Sequence, residues 1–172
     1  MISHLPMTLD LMSVLRTCIS AMGERTSTEE ESMKLTAIIP TIIASRLRFV
    51  QGKKTIEPRK DLGHVENYLY MLTGEVQKPV VVRALTTYMI LTMEHGMNAS
   101  TFTARVIAST EADYVSVITG AIGAMKGPLH GGAPTGVLEL LRAVRTMEDI
   151  EPLIDKTLRR GKKAYGLWPS CL

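Results

Sequence analysis

Apolar residues recur at helical rather than strand spacing along most of this chain. Leu11, Val14, Leu15, Cys18, Ile19 and Met22 fall at i, i+3, i+4, i+7, i+8 and i+11, one stripe of a helix that Gly23 can stop in a left-handed cap. Thr28 to Glu31 has capping-box spacing, and Glu29 and Glu30 suit the positive end of a helix dipole. A second helix is therefore predicted to run to about Val50, where Gly52 closes it. Inside it Ala37, Ile38, Ile39, Ile42, Ile43 and Ala44 cover nearly every side, the pattern of a helix enclosed by others, and Pro40 should kink it. A loop holding Pro58 leads to a short helix from about His64 to Leu72, stopped by Gly74, and Pro79 fits the first position of a helix to about Glu94. Asn98 to Thr110, Ala112 to Lys126, Pro134 to Met147 and Glu148 to Arg160 complete a helical reading with no convincing run of alternating strand positions. Gly120 and Gly123 interrupt the sixth of these helices. Each costs about 1 kcal/mol against alanine, which close helix packing or a ligand would have to offset.

Composition narrows the class. The chain has 172 residues, 45% hydrophobic, 22% charged and 5% aromatic, enough to bury a core without disulfides or a structural metal. No repeat or low-complexity tract divides it, and it reads as one unit. The formal charge of +3 is small and evenly interspersed, so nucleic acid is not an expected partner. No apolar run approaches the about 18–20 residues of a membrane span, so no membrane is expected either. The first twelve residues contain His4, Pro6 and Asp10 and do not read as a signal peptide, which makes the cytoplasm the expected compartment. Cys18 and Cys171 lack metal or redox spacing; Cys18 reads as a small core residue in a reducing environment.

Two stretches depart from ordinary helix grammar, Glu94-His95-Gly96-Met97-Asn98-Ala99-Ser100 and Gly127-Pro128-Leu129-His130-Gly131-Gly132-Ala133-Pro134. Each places a histidine at a helix end. Proline before and glycines after His130 direct its backbone and allow a ligand close to the main chain, so a neutral imidazole there could donate to a carbonyl oxygen and steady an enol or enolate. The alternative is an ordinary histidine in a glycine turn. His95 and Asn98 could point into one pocket and bind a keto-acid; alternatively Asn98 caps a helix beside an exposed histidine. His64, beside Glu66 and Asn67, reads as structural and His4 as a bystander. The glycine turn lacks the Gly-Lys-Ser/Thr ending of a P-loop, and neither HExxH nor Cys-x-x-Cys is present for zinc, so no metal is expected. Asn98-Ala99-Ser100 is formally a glycosylation acceptor and is set aside as chance.

These stretches carry a resemblance. "MKGPLHGGAP" is similar to the thioester-activating histidine motif of the bacterial-type citrate synthase family, "EHGMNASTFTARV" resembles its oxaloacetate-binding segment, and "MSVLRT", "HVENYLYMLTG" and "GKK" follow in the same order. The resemblance implies an all-α fold, part of the family's large helical domain over residues 1–165, with the small domain absent. It also implies a homodimer or larger oligomer packed through antiparallel helices, among them those at Thr28 to Val50 and Pro79 to Glu94. The implied reaction enolises acetyl-CoA, whose methyl carbon attacks the ketone of oxaloacetate; citryl-CoA is then hydrolysed to citrate and CoA. Acetyl-CoA enters as a substrate, and no cofactor is permanently bound. Residue by residue, His130 would hydrogen-bond the thioester carbonyl, and His95 and Asn98 would bind oxaloacetate. No residue of the coenzyme site proper can be assigned.

The family's aspartate base, its second catalytic histidine and its carboxylate-binding arginines find no match, because in family members they lie beyond this chain's end. The chain therefore reads as a central fragment truncated at both ends. Where members continue Gly-Phe-Gly-His-Arg-Val-Tyr-Lys, residues 166–172 read Gly-Leu-Trp-Pro-Ser-Cys-Leu. Plausible codons for the family segment, shifted by one nucleotide, encode Leu-Trp-Pro-Ser-Cys-Leu and a stop, so this tail is expected to be frameshift-derived. The expectation is an isolated chain without activity, because its site lacks both base and lid. A non-catalytic ligand-binding remnant, 2-methylcitrate synthase-type specificity, and a separate C-terminal chain completing the site are the alternatives. If helices that cover Ile38, Ile39, Ile42 and Ile43 are missing, these residues should leave an apolar patch that promotes association.

Overall fold

The computed structural model describes residues 1–23, 28–94, 96–131 and 142–159, which fall into two compact units, Met1–Ile122 and Gly123–Leu172. The described residues are helical, with no strand among them. In the first unit a single 3-10 turn at Ile2–His4 precedes α1 (Leu11–Ser20), α2 (Glu29–Val50), α3 (His64–Thr73), α4 (Pro79–Thr92), α5 (Ala99–Ala108) and α6 (Tyr114–Met125), which ends in the second unit. A further 3-10 turn, Met147–Asp149, leads into α7 (Ile150–Arg159). The expected helix from Pro134 to Met147 lies largely outside the described residues, as do residues 166–172.

Side chains set most helix starts. Asp10 accepts hydrogen bonds from Ser13 N (3.0 Å) and Ser13 Oγ (2.7 Å), and Asp113 repeats the arrangement with Ser116 N (3.0 Å) and Ser116 Oγ (2.7 Å). This second cap explains why α6 begins at Tyr114 rather than at Ala112: Asp113 satisfies an otherwise orphaned first-turn N–H from outside the helix. The Ser116 hydroxyl and, after it, the Ser116 backbone N–H, both donating to this carboxylate, hold the Asp113 carboxyl below its usual range. Thr28 accepts from Glu31 N at 3.3 Å, as its spacing predicts. The helix expected from Glu148 instead begins with a tight turn, because Asp149 Oδ2 accepts from Arg145 N (3.0 Å) and Thr146 N (2.8 Å) and holds the chain there before α7 starts. Gly23, Gly52 and Gly74 all take positive φ at the ends of α1, α2 and α3, as their positions suggest.

The core of the first unit joins α1, α2 and α6 through Val14, Leu15, Cys18, Ile19, Leu35, Ile42, Val115 and Ile122, with Ile2, Leu5 and Leu9 packed against it. Burial pushes the Cys18 thiol above its ordinary range, which leaves it protonated and unreactive at neutral pH. Every residue of α2 from Ile38 to Arg46 is buried or half-buried. Pro40 is buried within the helix, which continues past it to Val50. The isoleucines expected to form an exposed patch are thus covered by the chain's own helices: Ile42 is 5% exposed and Ile38, Ile39 and Ile43 are half-buried.

The uncovered apolar surface lies on α4 instead. Val82, Leu85, Thr86 and Met89 are half-buried at helical spacing, and α3 is the helix that α4 packs against. A second stripe of Val80, Val81, Ala84, Tyr88 and Leu91 faces outward. Leu91 is 75% exposed. A helix apolar on two faces normally buries both.

Arg46 is the most unusual core residue, only 2% exposed. Its Nη2 donates to the carbonyls of Pro6 (2.6 Å), Met7 (3.2 Å) and Leu9 (3.0 Å), its Nη1 lies 3.5 Å from Leu5 O, and its guanidinium sits over the Phe49 ring at 5.9 Å. Further along α2, Arg48 donates to Lys54 O (2.6 Å) and Leu72 O (3.2 Å), tying the helix end to the loop after it and to α3. Asn67 holds that loop by exchanging hydrogen bonds with the main chain of Arg59 (2.8 and 2.7 Å) and donating to Leu62 O (2.8 Å). His64 and His4 are both exposed.

The two helix glycines of α6 differ. A Cβ on Gly120 would collide with Ile107 Cδ1 and sit 3.7 Å from Thr103 Cγ2, so close packing of α5 explains this residue; a Cβ on Gly123 would meet nothing within 4 Å. In urea unfolding, Gly123→Ala is expected to stabilise the chain by about 0.5–1 kcal/mol. Gly120→Ala should be about 1–2 kcal/mol less stable than Gly123→Ala, because Ile107 must leave its rotamer. Arg46→Met should cost about 2–3 kcal/mol, since charge-assisted hydrogen bonds are lost and their carbonyls left without donors. Limited proteolysis of that variant should cut first within residues 1–10.

Candidate functional site

The second unit carries His130 on a turn built directly onto the end of α6. The last carbonyls of a helix have no intrahelical donor, and here the following residues supply them. Gly127 N donates to Ala124 O at 3.1 Å and Gly131 N to Met125 O at 2.9 Å. Between these, His130 N donates to Gly127 O at 3.0 Å, closing a β-turn with Pro128 at its second position, where the fixed proline φ is favoured. His130 is half-buried at the end of this turn, and Leu129 beside it is 53% exposed. An imidazole in its neutral form carries one N–H donor and one acceptor.

Asn98 belongs to the first unit and is the N-cap of α5. Its Oδ1 accepts from Thr101 N at 3.0 Å and from Ser100 Oγ at 2.8 Å. A backbone N–H cannot accept, so the carboxamide orientation is chemically fixed. Oδ1 serves the helix end, and the Nδ2 amino group, a donor only, is left for any ligand. Capping and binding are therefore compatible rather than competing roles. The preceding segment is also folded: Glu94 Oε1 accepts from Gly96 N at 2.7 Å, and Gly96 takes φ +62°. His95 lies outside the described residues.

Asn98 and His130 are thus each positioned by the backbone of a different unit. Sequence reading missed Ser100, which is 6% exposed and completes the cap around Asn98. Its signal was the Asn98-Ala99-Ser100 triplet that reads formally as a glycosylation site. A groove of about 420 Å³ between the end of α1 and the start of α6 is lined by Ser20, Gly23, Ile107, Asp113, Val115, Ser116 and Thr119, none of them a candidate residue. Among the described residues no cluster of three or more histidines, cysteines or carboxylates could hold a metal ion, and no helix is long and apolar enough to cross a membrane.

Comparison with known proteins gives this geometry its context. The family model for the citrate synthase C-terminal domain matches residues 1–167. The chain belongs to the citrate synthase family. It is 42% identical over 164 residues to citrate synthase 2 of Bacillus subtilis (strain 168), covering 90% of this chain and 44% of that protein. It is 39% identical over 173 residues to 2-methylcitrate synthase of Mycobacterium tuberculosis (strain ATCC 25618 / H37Rv), covering 96% of this chain and 44% of that protein. The crystal structure of citrate synthase from Thermotoga maritima MSB8 superposes with a TM-score of 0.78 at 39% identity, covering 99% of this chain and 46% of that one. The chain thus spans less than half the length of these relatives, and its helices are part of the citrate synthase fold.

The capping role of Asn98 can be tested by substitution. Asn98→Ala is expected to lose about 1 kcal/mol of stability in thermal or urea unfolding. Asn98→Asp retains the acceptor and adds a charge suited to the helix N-terminus, so its stability should stay within about 0.5 kcal/mol of the parent.

Proposed function

We propose that this chain carries the thioester-binding histidine and part of the oxaloacetate site of an acyltransferase that condenses acetyl-CoA with oxaloacetate to give citrate and CoA. The observation that carries the reading is the Gly127–Gly131 turn, which seats His130 on the end of α6 in a chain matched to the citrate synthase family over residues 1–167. In this reading the imidazole N–H of His130 donates to the thioester carbonyl. As a proton leaves the methyl carbon, negative charge grows on that oxygen, and a donor already in place stabilises the enol more than the substrate. The enol carbon then attacks the ketone of oxaloacetate, and water releases CoA from citryl-CoA. Asn98 Nδ2, with His95, donates to oxaloacetate oxygens.

A second acyl substrate has its own support. The resemblance to the 2-methylcitrate synthase of Mycobacterium tuberculosis, at 39% identity, favours propionyl-CoA as the alternative partner of the same site. The outward stripe of Val80, Val81, Ala84, Tyr88 and Leu91 on α4 supports assembly of two copies through this helix. We assign the cytoplasm, where a reduced buried thiol such as Cys18 persists.

The 172 residues expressed alone bind these substrates without turning them over, since the resemblance places the base, the second histidine and the arginines outside them. The purified chain mixed with acetyl-CoA and oxaloacetate is expected to release no free thiol above the blank. It should bind acetyl-CoA weakly through His130, binding that His130→Gln removes, and oxaloacetate through Asn98, binding that Asn98→Asp removes. Thiol release by the chain alone would disprove its inactivity. Restored release when a co-purifying C-terminal chain is present would establish a split enzyme, and undiminished acetyl-CoA binding by His130→Gln would refute the role of the imidazole.

A further inference from the structure

The role given to His130 leaves unexplained why the next residue is glycine. Room for a ligand is one reason a site keeps a glycine, but at Gly131 the space a side chain would fill is already taken by the protein. A Cβ there would overlap the carbonyl oxygen of Met125 and lie 3.0 Å from Met125 Cγ and 3.2 Å from its carbonyl carbon. Two of these three atoms are main chain in the last turn of α6, so no rotamer change clears them. The approach is this close because Gly131 N donates to the same Met125 carbonyl at 2.9 Å. The neighbouring glycines are under less constraint: a Cβ on Gly127 would stand 3.2 Å from Ala124 O, and one on Gly123 would meet nothing within 4 Å.

We infer that Gly131 is a positioning residue for His130, its missing side chain letting the backbone after the histidine close onto the Met125 carbonyl. Residue 130 is then pinned from both sides, by its own N–H on Gly127 O before it and by the Gly131 N–H on Met125 O after it. With the main chain held at both ends, the direction in which the His130 side chain leaves the backbone is set. Any residue with a Cβ at position 131 must either break the second hydrogen bond or push the turn off α6, and either movement carries the imidazole with it. The inference deepens the thioester reading and rests on it only for the consequence in binding; the steric argument stands on the backbone alone.

The test uses the 172-residue chain. In the parent, the Gly131 amide should exchange with solvent slowly, as a hydrogen-bonded N–H does; an unprotected amide would overturn the inference without any variant. Imidazole NMR signals of His130 are assigned by their loss in His130→Gln. Gly131→Ala is expected to shift those signals and weaken acetyl-CoA binding about tenfold, as displacement of a fixed donor does. Gly123→Ala, which adds the same methyl group in open space, should leave both unchanged. Unshifted imidazole signals in a folded Gly131→Ala variant would sink the proposal. If His130→Gln leaves acetyl-CoA binding intact, it is the thioester reading that fails, and the imidazole signals of Gly131→Ala still decide the positioning role.

Discussion

A guanidinium without water must have its donors satisfied by the protein, and the first unit is organised around one such group. Arg46 lies near the end of α2, in the stretch from Ile38 onward that other elements enclose. Its partners are main-chain carbonyls of residues 5 to 9, so the charge is met by oriented dipoles of the segment that leads into α1. That segment also places Leu5 and Leu9 against the core formed by α1, α2 and α6. Burying an arginine is costly unless its hydrogen bonds are made, and this requirement couples the N-terminal turn to the middle of the fold. Once α2 is held in this way, Arg48 and Asn67 carry the same logic outward to the following loop and α3.

The candidate site follows from a related constraint at the helix ends. A helix leaves donors unmet at its start and acceptors unmet at its finish, and both candidate residues sit where the chain resolves that deficit. Asn98 accepts at the start of α5, which commits its oxygen and leaves its amino group as a donor. His130 lies in a turn whose amides serve the last carbonyls of α6. In each case the hydrogen bonds that finish the helix also fix the main chain at the candidate residue. Preorganisation of this kind spares an enzyme the cost of ordering a donor as charge develops on its substrate.

α4 is less complete than the rest. It contributes one apolar stripe to the contact with α3 and holds a second outward, an arrangement a stable helix adopts when another surface is meant to cover it. The chain spans less than half the length of the relatives it matches.

Helix identity was legible from the order of residues alone, because apolar spacing, capping side chains and glycine stops are local signals. Leu11 to Met22, Thr28 to Glu31, Gly74 and Pro79 each specified an element without reference to anything distant. The two Asp-x-x-Ser caps are equally local, and the second sets the start of α6 at Tyr114, two residues after the Ala112 that apolar spacing suggests. Motif order likewise carried the citrate synthase resemblance, since the residues around His130 and Asn98 are contiguous. What the tertiary structure alone decided were the contacts between residues far apart in sequence. The carbonyls Arg46 would bind, the covering of Ile38 to Ile43, the collision that makes Gly120 a packing glycine, and the openness around Gly123 all depend on which helix lies beside which. Spacing along a chain records the period of one helix; it holds no measure of the distance to the next.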